Sequence, residues 1–165
     1  MSVHEKISKC IQSGEKGGER HKGLRKIAPD IKKAASHVQK AIHNFQAITI
    51  FKERGYSDWS VSAGFYALYH LLLAIVIKEG YESRNQRCTF AVIEKMIEEK
   101  KLSITLEELK EIDDTDIDLG HSETMLDLRE RYQYLTKTQM EEQEFNIFKT
   151  RVKYLFDKLR NDIER

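Results

Sequence analysis

From Pro29 onward, apolar residues return at helical intervals. Ala34, Val38, Ala41, Phe45 and Ile48 follow one another by fours and threes, so they line one face of a helix. Pro29 opens it, where a fixed φ and a missing N–H cost little, and Gly55 stands just past Arg54 as a stop. Ser57 or Asp58 can cap a second long helix, which reaches about Lys78 ahead of Gly80. Its Phe65, Tyr66, Tyr69, Leu72, Leu73 and Val76 nearly encircle the axis, a pattern that belongs in the middle of a bundle.

A third helix is predicted around Gln86 to Lys100, with Phe90, Ile93 and Ile97 as its stripe. Thr105, followed three residues later by Glu108, has the capping-box pattern of a short helical segment. Ser122 caps the fourth helix, whose stripe is Met125, Leu128, Tyr132 and Leu135. The fifth starts near Met140, and its Phe145, Phe148, Val152, Leu155 and Leu159 alternate threes and fours. No stretch sustains period-two alternation. The expected fold is all-α, an antiparallel four- to five-helix up-and-down bundle.

Ahead of this pattern the chain changes character. A short helix is predicted over Val3 to Gln12, followed by a glycine- and charge-rich segment from Gly14 to Gly23. Such composition predicts a flexible connection, so residues 1–28 read as an appendage and linker and 29–165 as the bundle. The glycines lack the frame of a Walker-type phosphate loop.

Composition narrows the chemistry. At 165 residues the chain suits one domain with a full core. The charges nearly cancel, 28 Lys+Arg against 27 Asp+Glu, so no global field draws the protein onto nucleic acid. Contact with RNA would need a local basic cluster. Cys10 and Cys88 match no zinc or CxxC spacing and are expected as free thiols in a reducing cytoplasm. Met1 to Gly14 is charged, without an apolar signal core, which also points to a cytoplasmic chain. The apolar run Ala63 to Ile77 spans roughly 22 Å as a helix, short of a bilayer's ~30 Å core, and so predicts a buried helix with no membrane partner.

No metal or cofactor site is predicted. Asp114, Asp116 and Asp118 fit the early ligand positions of a calcium loop, but Leu119 and Met125 occupy the places that need glycine and glutamate. No local nucleophile motif marks a hydrolase.

Three segments together resemble the HEPN family (higher eukaryotes and prokaryotes nucleotide-binding domain), especially its small prokaryotic members. They are Gly55-Tyr-Ser-Asp-Trp-Ser-Val-Ser-Ala-Gly-Phe-Tyr-Ala-Leu-Tyr-His70, the loop Gly80-Tyr-Glu-Ser-Arg-Asn-Gln-Arg-Cys88, and Leu126-Asp-Leu-Arg-Glu-Arg-Tyr-Gln-Tyr134. The resemblance covers about residues 30–165 and implies a dimeric helical bundle that often acts as a ribonuclease. Many relatives are toxins paired with a nucleotidyltransferase antitoxin. Active members place an Arg a few residues before a His at a dimer cleft. Here the matching pair is Arg129 and Tyr134, and no His follows His121.

That substitution matters chemically. Imidazole exchanges protons near neutral pH, whereas a tyrosine hydroxyl has an unperturbed pKa of about 10. Tyr134 can still donate to a phosphate or stack on a base. The resemblance makes Arg129 and Tyr134 the candidate catalytic pair. Arg131, Arg84 and Arg87 are candidate phosphate contacts, the last two flanking a helix start. The plainer readings are surface ion pairs or solvated arginines, a core position for Tyr132, and a neutral, hydrogen-bonded core histidine at His70. Two functions follow. One is a HEPN-like homodimer binding RNA or a nucleotide, with weak or latent metal-independent ribonuclease activity and a nucleotidyltransferase partner. The other is a non-catalytic helical interaction module.

Overall fold

A computed structural model describes residues 1–113, 132 and 136–165. Its central element, α3 (Ser57–Glu79), is buried on nearly every side, with Phe65, Leu68, Leu71 and Leu72 wholly removed from solvent. Each such side chain contributes about 1.5–3 kcal/mol on burial, so neighbours gather around this helix. α2 (Ile31–Glu53) lies against it through Ala34, Ala41 and Ile48. The connection between them is Arg54 to Tyr56, too short for anything but an antiparallel pair. Gly55 makes that turn at φ +85, a left-handed conformation open to glycine. Ser60 Oγ donates to the Ile48 carbonyl at 2.7 Å and joins the two helices inside the core.

α6 (Glu142–Glu164) closes the other side of α3. Its buried Phe145, Phe148, Val152, Leu155 and Leu159 are the stripe that the sequence marked. Gly64 lets it come close, since a Cβ there would stand 2.7 Å from Phe148 Cζ. α4 (Gln86–Glu98) buries Phe90, Val92 and Ile93, and α5 (Leu106–Ile112) begins with the expected Thr105–Glu108 capping box. Asp162 ties α6 to the approach of α5: its carboxylate accepts from the Ser103 amide at 2.9 Å and from Ile104 at 3.4 Å. By length and composition α3 alone among the described residues could cross a membrane, yet 78% of its most apolar window is buried inside the bundle. The all-α bundle is therefore as expected. The predicted fourth helix, from Ser122, lies outside the described residues except for Tyr132, which is buried.

Two expectations about the N-terminus are corrected. First, residues 1–28 are no loose appendage. α1 (Val3–Lys16) starts with a Ser2–Glu5 capping box and buries Val3 and Ile7 in the main core. A single 3-10 turn at Gly18–Arg20 leads to β1 (Leu24–Lys26), which pairs antiparallel with β2 (Tyr81–Ser83), Leu24 opposite Ser83. The glycines that suggested a linker serve close packing: a Cβ on Gly14 would lie 2.1 Å from the Leu24 carbonyl oxygen, and one on Gly23 2.3 Å from that of Cys10. Second, Cys10 and Cys88 are not free thiols. Folding brings α1 beside α4, with the two Cα atoms 5.8 Å apart, and the cysteines form a disulfide.

A Gly14→Ala substitution sets two effects against each other. Alanine gains roughly 0.5–1 kcal/mol as a helix former, while a Cβ driven into the Leu24 backbone costs about 1–3 kcal/mol. Net destabilisation is the expected outcome in urea unfolding, and a variant more stable than the parent would refute this packing.

Candidate functional site

A hollow with a volume of about 410 Å³ runs between α1 and α4. Its floor is apolar, from Phe90 and Ala91. Lys6 and Lys9 project from the α1 side and Arg87 from the α4 side, against the carboxylates Glu94 and Asp113. Lys6 Nζ stands 3.7 Å from Glu94 Oε2, a partly exposed pair worth little by itself. Lys9 is next to Cys10 and Arg87 is next to Cys88, so the disulfide sets the spacing of these two cations. Asn85 organises the α4 end by accepting the Cys88 amide at 3.2 Å, as an N-cap should.

The structure thus places Arg87 at a groove. Arg84 is exposed and is not part of that lining; its amide donates to the Gly23 carbonyl at 2.9 Å in the β1–β2 ribbon. Arg129, Arg131 and Tyr134 lie outside the described residues, as do the acidic run from Asp114 and His121. Lys6 and Lys9 were missed by sequence reasoning. Their i, i+3 spacing in a charged amphipathic helix was the available signal, hidden by the reading of that helix as an appendage.

Two polar clusters flank the core. In the first, buried His21 holds Nε2 2.8 Å from Glu82 Oε1, and its Nδ1 accepts from the Gly23 amide at 3.2 Å. Acceptance at Nδ1 places the proton on Nε2, which donates to the carboxylate. The hydrogen bond from His21, and then Lys33 at 3.3 Å, hold the Glu82 carboxyl below its ordinary range. With both ring nitrogens engaged, His21 pins the ribbon and is unsuited to proton transfer.

The second cluster joins α2 to α3. His37 Nδ1 and His70 Nδ1 are 3.0 Å apart, and the ring centroids are 5.2 Å apart at 24°. Such a spacing has one nitrogen donating to the other, the hydrogen-bonded state expected of His70. His37 sits at i+3 from Ala34, on the buried stripe, so its inward position was legible although its partner was not. Burial, followed by His37 and Lys40, lowers the His70 pKa to about 4. Burial and then Lys33 lower that of His37. Both rings are neutral at pH 7. Among the described residues no group of three or more His, Cys, Asp or Glu is placed to hold a metal.

An all-α bundle with a disulfide-bridged cationic groove is the class that this geometry defines. No family model matches the chain, and no curated protein matches it.

The histidine pair gives the fold a pH dependence with a definite sign. Unfolded, both rings take up protons near pH 6.5; folded, His70 resists until about pH 4. The unfolded state binds more protons in that window, so stability is fully present above about pH 6.5 and falls as pH drops toward 4. Urea midpoints measured across this range should decline, and His70→Gln should decline less steeply. Parallel profiles would show that other groups set the acid limit.

Proposed function

We propose that the chain is a HEPN-like helical bundle that binds RNA or a nucleotide by its phosphates and works as a homodimer in the cytoplasm. The observation that carries this reading is the groove of about 410 Å³ with Lys6, Lys9 and Arg87 at its rim. Phosphate oxygens are met by cationic side chains, and Arg offers them a planar fork. A chain of near-zero net charge needs this kind of local concentration to hold a polyanion at all. The helical architecture agrees with the resemblance of the Gly55–His70 and Gly80–Cys88 segments to that family. In this reading Arg129 adds a phosphate contact, Arg131 and Tyr134 position the substrate, and Tyr134 in place of a histidine leaves ribonuclease activity weak or latent. A nucleotidyltransferase of the toxin–antitoxin kind is the protein partner implied.

A second reading, a non-catalytic interaction module, is favoured by a different observation. Trp59 and Tyr66 are seven positions apart on α3, hence on one face, and remain 56% and 46% exposed. Large exposed aromatics on one helix face suit a protein partner.

Binding of a short fluorescein-labelled single-stranded RNA decides between them. Arg87→Ala and Lys9→Ala should each weaken binding and reduce the salt dependence by about one unit of slope. Arg129→Ala should abolish binding or residual cleavage while leaving thermal unfolding nearly unchanged. No binding at micromolar protein and moderate salt would sink the nucleic-acid reading and leave the interaction module.

A further inference from the structure

We propose that the Cys10–Cys88 disulfide is a redox latch on the phosphate-binding groove: oxidised, it assembles the cationic rim, and reduced, it lets α1 move away. The inference rests on the groove reading for its ligand, but the latch itself rests on where the bond lies.

Lys9 precedes Cys10 on α1, and Arg87 precedes Cys88 on α4, so one covalent link joins the two walls directly beside their cations. The other ties of α1 are an ion pair, its apolar anchors and the close packing of Gly14 against the Leu24 backbone. The Lys6–Glu94 pair is partly exposed at 3.7 Å, and Val3 and Ile7 are the buried apolar anchors of α1. Beyond Lys16, Gly17 and Gly18 connect α1 to the 3-10 turn, with Gly18 at φ +60 and open space, no atom within 4 Å, where a Cβ would stand. The clasp thus lies midway along α1, and a glycine with conformational freedom, Gly18, follows beyond the helix's C-terminal end. The clasp encloses 78 positions of sequence, so reduction also returns substantial loop-closure freedom to the chain.

The exchange chemistry is simple. Cys10 is the half-buried member and lines the groove, whereas Cys88 is 4% exposed. A dithiol reductant attacks Cys10 Sγ as its thiolate, forming a mixed disulfide and expelling the Cys88 thiolate, which takes up a proton. The second thiol of the reductant then displaces Cys10, leaving two cysteine thiols and one oxidised dithiol. Two electrons and two protons pass from reductant to protein. A cytoplasmic dithiol pool would keep the latch open, and an oxidising episode would close it.

The test compares the air-oxidised chain, whose intact mass reports the missing two hydrogens, with the same chain reduced by excess dithiothreitol. The readouts are affinity for the labelled single-stranded RNA and hydrogen exchange of the α1 amides. Reduction should weaken RNA binding by about tenfold or more and lower the salt slope by up to about two, as the Lys9 and Arg87 contacts lose register. It should also speed exchange along α1 while α3 stays protected, and reoxidation should restore both. A Cys10→Ser/Cys88→Ala double variant should behave as the reduced protein under either condition. Equal affinity in the two redox states, with the bond confirmed by mass, would overturn the latch, as would failure of the cysteines to pair under mild oxidation. If the oxidised chain binds no RNA, the groove reading falls, and the exchange data alone decide the latch: unchanged α1 protection refutes it.

Discussion

Burial of α3 on every side but the face that carries Trp59 and Tyr66 is the constraint from which the remaining architecture follows. A helix whose apolar residues run nearly right round its axis has little to give to water, so most of its sides need a cover. α2 supplies one through small residues, Ala34 and Ala41, and α6 supplies another through Phe148 and Val152 seated over Gly64. Small-against-large packing of this kind lets backbones approach without voids and fixes which helix lies where. α4 and α5 complete the enclosure, with Phe90, Ile93 and Ile112 turned inward.

Polar groups then select one arrangement among those that apolar burial would tolerate. Asp162 accepts two backbone amides from the segment before α5, and Ser60 reaches the Ile48 carbonyl. Leaving such buried groups unpaired costs about 1–3 kcal/mol apiece, so a shifted register is penalised. Of the ion pairs between α5 and α6, Glu111–Arg151 at 2.5 Å is partly exposed and adds less, whereas Glu108–Lys158 at 2.7 Å joins a buried carboxylate to a half-buried lysine. His21, Glu82 and Lys33 do the same service for the ribbon that joins the N-terminal unit to the end of α3.

The groove between α1 and α4 depends on this N-terminal unit being docked. Its cations come from segments far apart in sequence, and the side chains next to them carry the covalent link. On the α2–α3 side, by contrast, Lys33 and Lys40 surround two histidines that stay uncharged, because burial and neighbouring positive charge both oppose protonation. The molecule thus tolerates concentrated positive charge where it faces solvent and suppresses it where it is half-buried.

What the sequence determined by itself was local. The stop of α3 at Gly80, the start of α4 at Gln86, the Thr105–Glu108 box and the Phe145 to Leu159 stripe follow from periodicity and helix-end signals within one or two turns. The expected Ser57 or Asp58 cap, by contrast, does not form: Tyr56 precedes α3 with no side-chain cap, and Ser57 Oγ accepts from the Met140 amide instead. Arg87 could be singled out for its place at a helix start, whereas Arg129, Arg131 and Tyr134 rest on family resemblance and fall outside the described residues. Tertiary structure decided the rest. Glycines at 14 and 23 look like a flexible linker in sequence, because freedom and close approach require the same missing Cβ. Three-residue strands are too short to show alternation. The Cys10–Cys88 bond and the His37–His70 contact join residues 78 and 33 positions apart. Such pairings depend on how amphipathic faces stack in space, and a periodicity confined to a single helix carries no record of its partner.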